Sequence, residues 1–160
     1  MVNLLKTQYE LVRSSRGEVL NFISSFVPDD LLKPVGMFNN RSIRYFLVHN
    51  ANVYCQWLGV FAMKREIDYF NEQYFPNLET VVSAFVSADQ VVDEFLDQFA
   101  GVPCEQVIGT LSGGRRVTVT PLELFTHVTT HEFHHKGQIM TMCRLLGYAP
   151  PDTDIIRING

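Results

Sequence analysis

Apolar residues return at helical spacing in four separate stretches of the chain. Between residues 3 and 26, Leu4, Leu5, Tyr9, Val12, Val19, Phe22, Ile23 and Phe26 recur every three or four positions. That spacing predicts an amphipathic helix, which Pro28-Asp29-Asp30 ends. Gly17 weakens the pattern locally without breaking it. The link from Pro28 to Asn40 contains Pro34 and Gly36 and reads as irregular, with room for one short turn. A second helix runs from Asn40 or Ser42 to about Met63, with Ile43, Phe46, Leu47, Val53, Leu58, Val60 and Phe61 as its apolar surface. Residues 64 to 76 are aromatic and charged and hold at most a further short helical turn before Pro76. Asn77 caps a third helix from Leu78 to Ala100, whose stripe is Val81, Val82, Phe85, Val91, Val92, Phe95, Leu96 and Phe99; Gly101 and Pro103 close it.

The period then changes. Residues 106 to 111 and 115 to 119 are rich in β-branched residues and flank Ser112-Gly113-Gly114, which predicts a β-hairpin. The hairpin leads into the most clearly bounded element, Thr120 to Gly147. Thr120 is a good N-cap, Pro121 suits the first helical position, and Glu123 completes a capping box. Gly147 stands where a left-handed cap is wanted, and Pro150 and Pro151 forbid continuation. The tail after Gly147 is extended. No internal repeat or linker interrupts the pattern, so residues 1–160 read as one all-α domain with a small hairpin before its last helix.

The polar positions inside these helices carry the candidate chemistry. Four of the five histidines lie on the last helix. At about 100° per residue, His127, His131 and His135 drift by about 40° per step, so neighbours share a face. His134 points about 100° from His135 and about 60° from His131, which places it on the outer flank. Gln138 returns to within about 20° of His131. A His-x-x-x-His pair on a helix offers two imidazoles to one point, a common way to hold a transition metal, and a third ligand must then come from elsewhere. His49 on the second helix is the candidate. Asn52, Val53 and Gln56 share its face, and Trp57 lies about 80° away, near enough to wall a site. The hypothesis is a metal on His49, His131 and His135, with positions left open for water or substrate. Asn52, Gln56, Trp57, His127 and Gln138 would line the pocket. Each ligating ring needs a partner for its second nitrogen, and Glu132, Asn52 and Gln138 are candidates. The competing interpretation makes all of these ordinary core or surface histidines. Cys55 and Cys143 read as small core residues, Asp152 and Asp154 as turn formers, and Lys136 as exposed.

Composition narrows the function classes. A net charge of −4 gives no electrostatic reason to expect nucleic acid as a partner. No run of about 18 apolar residues suggests a membrane span. Three widely spaced cysteines form no Cys-x-x-Cys pair and fit a reducing cytoplasm.

His127 to Ile139, HVTTHEFHHKGQI, resembles the C-terminal helix motif of the DinB-like, YfiT-like family, His-x-x-x-His-[Arg/Lys]-Gly-Gln. Here His131, His135, Lys136, Gly137 and Gln138 meet it. Leu47 to Leu58 resembles the family's second-helix segment, which supplies the first histidine, and GYAPPDTDII is similar to its usual ending. The resemblance covers nearly the whole chain. It implies an up-down-down-up four-helix bundle, often dimeric, with a divalent metal, zinc or nickel, on His49, His131 and His135. It also implies a metal-dependent hydrolase or a thiol S-transferase acting on a small thiol and an electrophile, since members of known chemistry include isomerases and S-transferases that use bacillithiol or mycothiol. The alternative is a non-catalytic metal-binding or stress-response module.

Overall fold

The computed structural model describes residues 2–99, 101–111 and 113–157. It contains four long helices, α1 (Val2–Ile23), α2 (Ile43–Tyr54), α3 (Leu78–Phe99) and α4 (Pro121–Leu145), with strands β1 (Val107–Thr110) and β2 (Arg116–Val119) between the last two. Leu5, Tyr9, Val12, Val19 and Ile23 turn α1 inward, as the periodicity requires. Leu4 is 68% exposed and Val82 is 38% exposed, although the spacing puts both on apolar stripes. Each sits one position, about 100°, from a buried neighbour and so falls off the inward face. The first helix also stops at Ile23 rather than Phe26, where the Ser24 and Ser25 hydroxyls donate to the carbonyls of Asn21 and Phe22. Short serine side chains compete for backbone groups in this way and loosen helix ends.

The second predicted helix is continuous in direction but not in winding. Its α-helical part ends at Tyr54, and Cys55–Ala62 forms a π-helix. π turns are rare and leave no distinct periodicity in a sequence. The Ser42 side chain accepts from Tyr45 N at the start of α2, as an N-cap should. Residues 28–41 hold two single 3₁₀ turns and a bridge between Val35 and Arg41. Asn77 Oδ1 accepts from Thr80 N at the head of α3.

β1 and β2 pair antiparallel, Val107 opposite Val119 and Thr110 opposite Arg116. Gly113 and Gly114 at the turn have φ of 89° and 79°, a region where a side chain would be strained. Gly109 lets β1 sit on the π segment: a Cβ there would lie 2.4 Å from the Phe61 ring. At the head of α4 both halves of the capping box form, and at its end Gly147 (φ 93°) allows Tyr148 N to reach Cys143 O.

α1 packs against α3 and α4, and α2 packs against the same two helices. Tyr9 and Lys6 of α1 bond to Asp89 and Asp97 of α3. Phe46 and Tyr54 of α2 meet His135 and Glu132 of α4. At the centre, where apolar packing would be expected, Arg16 forms a two-pronged pair with Glu132 at 2.8 and 3.0 Å and reaches Asp89 at 2.6 Å. Tyr54 Oη donates to Glu132 and Tyr9 Oη to Asp89, each at 2.5 Å. Burial works against the Arg16 charge, but Glu132, Tyr9 and Tyr54 together outweigh it, and the guanidinium is held well above its ordinary pKa. No helix among the described residues is long and apolar enough to cross a membrane.

Candidate metal centre

His49 stands on α2, one turn beyond Tyr45, and His131 and His135 stand one turn apart on α4. The packing of α2 on α4 brings the three together: one ring nitrogen from each lies within 4.8 Å of the other two. His49 Nε2 and His131 Nε2 face each other at 3.1 Å. The His135 ring is 4.9 Å from that of His49 and 4.5 Å from that of His131, centroid to centroid.

The tautomer of His135 is set by its neighbour. Gln138 Oε1, three residues on, accepts from His135 Nδ1 at 2.5 Å. A proton on Nδ1 leaves a lone pair on Nε2, and that atom is buried with no hydrogen-bond partner. Buried polar atoms are normally satisfied, so an orphaned imidazole nitrogen beside two others needs a reason. A metal ion supplies one. With metal–nitrogen distances of about 2.05 Å, two ligands of a tetrahedral or octahedral site stand about 2.9–3.4 Å apart, and the 3.1 Å between His49 and His131 lies in that range.

The protonation states agree. Burial lowers the pKa of His49, and His135 lowers it further. His131 is lowered to about 4, by burial first and then by His135, His49, His127 and His134. His135 is lowered by burial, against an opposing effect from Gln138. All three rings are neutral at pH 7, the form in which imidazole binds metal.

The other residues singled out from the sequence are placed less uniformly. His127 is exposed and packs edge-on against Trp57, 4.8 Å between centroids; its ring is 5.8 Å from that of His131. It and Trp57 therefore extend one side of the centre. His134 is exposed on the flank. Asn52 does not support a histidine ring: its amide donates to Phe70 O and accepts from Phe70 N, both at 2.8 Å, pinning the segment after the π-helix. Gln56 is half-buried in the π segment and makes no side-chain hydrogen bond to a described residue. Glu132 is turned into the Arg16 pair. Of the three candidate supports, only Gln138 touches a ring of the centre. Lys136 is not a free surface cation, because its ammonium donates to Thr153 O at 2.9 Å and to Ser15 Oγ at 3.2 Å. Cys55 and Cys143 are buried, and burial pushes their thiols up to about 11 and about 12.

An open cavity of about 500 Å³ reaches the centre from one side, lined by His49, His135 and Gln138 together with Phe38, Arg41 and Tyr45, among others. The spacing of the sequence assigns Phe46 to the apolar surface of the second helix and gives Tyr45 and Arg41 no role, so none of the three is expected at the centre. The Tyr45 ring is parallel to that of His49 at 6.0 Å, and Phe46 lies 5.1 Å from His135. Tyr45 shares the His49 face four positions earlier, a signal that was present in the spacing. Arg41 precedes the helix, in a turn whose path no periodicity predicts.

Comparison with known families matches residues 1–159 to the DinB family. Among curated proteins no sequence matches the chain.

Proposed function

The chain belongs to the DinB family, and from that premise we propose that it holds one divalent transition metal on His49, His131 and His135 and acts on a small molecule in the adjoining cavity. The observation that carries this is the convergence of three neutral imidazoles, one with a buried, unpartnered Nε2. Zinc and nickel are the preferred ions, as three nitrogen donors suit both. Three protein ligands leave coordination positions open, the character of a catalytic rather than a structural site. A bound metal would lower the pKa of water or of a thiol at those positions.

Thiol S-transfer is the better-supported reaction. The cavity that reaches both His49 and His135 is lined by no carboxyl group, and Glu72 lines a separate, smaller opening at His49, so hydrolysis would need a general base from outside the main cavity. Transfer needs only a deprotonated sulfur and an electrophile. The thiol comes from outside, because burial keeps Cys55 and Cys143 protonated at neutral pH and the exposed Cys104 does not line the cavity. His127 and Trp57 would bound one side of the site and Phe38 and Tyr45 the other, limiting water around the reacting atoms. Gln138 holds the His135 ring in the ligating tautomer. Hydrolysis of a small substrate is the second possibility, and a non-catalytic metal-binding module the third.

The same reading includes an up-down-down-up four-helix bundle and a homodimer. The bundle is supported by the contact pairs: residue numbers rise together along α1 and α4 and run oppositely along α1 and α3 and along α2 and α4. Sedimentation of the purified chain tests the dimer.

Elemental analysis of protein purified without added metal tests the centre. About one ion per chain is expected in the wild type and essentially none in His131→Ala. Equal content in the two would end the three-histidine assignment. Incubation of the loaded protein with bacillithiol, glutathione or coenzyme A and simple electrophiles then separates transferase from module. Thiol loss no faster than in metal-stripped protein would count against transfer.

A further inference from the structure

Among the described residues that line the cavity beside the centre, one is a lysine or arginine, Arg41, and its position is built rather than incidental. Arg41 leaves a turn in which both preceding residues, Asn39 (φ 53°) and Asn40 (φ 57°), adopt the left-handed conformation. Non-glycine residues hold that conformation at some cost, and two in succession require surroundings that fix them. The surroundings here are backbone hydrogen bonds: Arg41 N donates to Phe38 O at 2.9 Å, and Arg41 O accepts from Val35 N at 3.0 Å. The side chain then lies across the Tyr45 ring, with its guanidinium carbon 4.2 Å from the centroid. Tyr45 is in turn parallel to His49. Guanidinium, phenol ring and metal-ligating imidazole form successive layers along one wall of the cavity.

Arg41 has no ion-pair partner among the described residues, and no carboxyl group lines the cavity with it. The buried Arg16, by contrast, is fully engaged. An arginine stacked on an aromatic face loses little freedom on binding and keeps its outward N–H groups aimed in a fixed fork. That fork matches a planar carboxylate at two points. With the metal reserved for the reactive end, one guanidinium matches one unit of negative charge at the other end, which favours a carboxylate over a doubly charged phosphate there.

We propose that Arg41 is a specificity residue, and that the molecule entering this cavity carries a carboxylate bound by Arg41 while its reactive end lies at the histidines. This deepens the proposed function and rests on it for the identity of the reactive end. Phe38 and Tyr45 form the apolar walls between the two ends, so the group joining carboxylate to reactive atom is apolar and flat or slender.

Benzoate and benzamide test this, since they share a shape and differ in charge. Their binding to zinc-loaded wild type, Arg41→Gln and His131→Ala is measured by titration calorimetry or by ligand-observed NMR. The wild type is expected to prefer benzoate by about tenfold or more, a charge-assisted fork being much stronger than neutral hydrogen bonds. Arg41→Gln is expected to reduce that preference to about twofold or less, with benzamide binding and zinc content unchanged. His131→Ala is expected to lose zinc and keep the preference. An undiminished preference in Arg41→Gln, or none in the wild type, overturns the proposal. Loss of the preference in His131→Ala also overturns it, since the carboxylate would then be bound by the metal. Absence of zinc from the wild type would instead overturn the metal centre and leave the Arg41 result standing, so the two failures are distinct.

Discussion

His131 shows how a single residue couples the centre to stability. Its folded pKa, about 4, lies below the ordinary 6.5 because burial and the neighbouring rings disfavour the charged form. Below pH 6.5 an unfolded chain takes up a proton that the folded chain resists. Stability of the metal-free protein is therefore complete above about pH 7 and declines as the pH falls through 6.5 toward 4. The lowered values of His49 and His135 act in the same direction. Urea unfolding of chelator-treated protein at several pH values checks this, with His131→Ala expected to flatten the slope; a profile flat from about pH 7 to 4.5 would contradict it. Gln138 gives a second test at this scale. Gln138→Ala removes the acceptor on His135 Nδ1 and should weaken metal binding by about 10- to 100-fold with the fold intact. Competition with a chromophoric chelator measures it, and an unchanged affinity would show that the amide does not orient the ring.

Among the elements, the hairpin and the π segment depend on each other. Lys64, itself at φ 59°, donates to Phe61 O and Ile108 O, both at 2.6 Å, and so ties the end of the π-helix to β1. Gly109 completes the joint by leaving space for the Phe61 ring, which is also packed on Trp57 at 5.4 Å. Phe61 is buried, and its ring cannot swing away freely. Gly109→Ala should therefore cost about 1–3 kcal/mol through overpacking. Because Trp57 rests on both Phe61 and His127, the same change should alter the indole fluorescence. Denaturant unfolding monitored through this single tryptophan reads both effects. An Ala variant as stable as wild type, with an unshifted spectrum, would show that the hairpin does not need this close approach.

For the molecule as a whole, the central ion network matters more than any one helix. Arg16 of α1, Asp89 of α3, Glu132 of α4 and Tyr54 of α2 meet in the core, one from each helix. A buried ion pair is weak evidence of net stabilisation, but removing one partner leaves the others uncompensated. Arg16→Ala should destabilise the protein by about 3–5 kcal/mol. Glu132 is next to His131 in sequence, so the network also fixes the rotation of α4 that turns the two histidines toward His49. A loss below about 1 kcal/mol in thermal or denaturant unfolding would remove the network from this account.

The helices, their caps and the hairpin were legible from the sequence because they depend on local chemistry: apolar spacing, a capping box, a Gly-Gly turn. The pairing of His131 with His135 was legible for the same reason, since helical repeat alone puts them on one face. Other features were set by contacts between distant segments. The π winding after Tyr54, the turn that carries Arg41, and the capture of Glu132 by Arg16 and of Asn52 by Phe70 leave no periodic trace. Local spacing could nominate His49 as the third histidine. Only the packing of α2 against α4 decided that its nitrogen stands 3.1 Å from that of His131, and that His127 turns to Trp57 instead. Spacing along a helix fixes the direction of a side chain about its own axis, whereas distance between helices is settled by how their buried surfaces interlock.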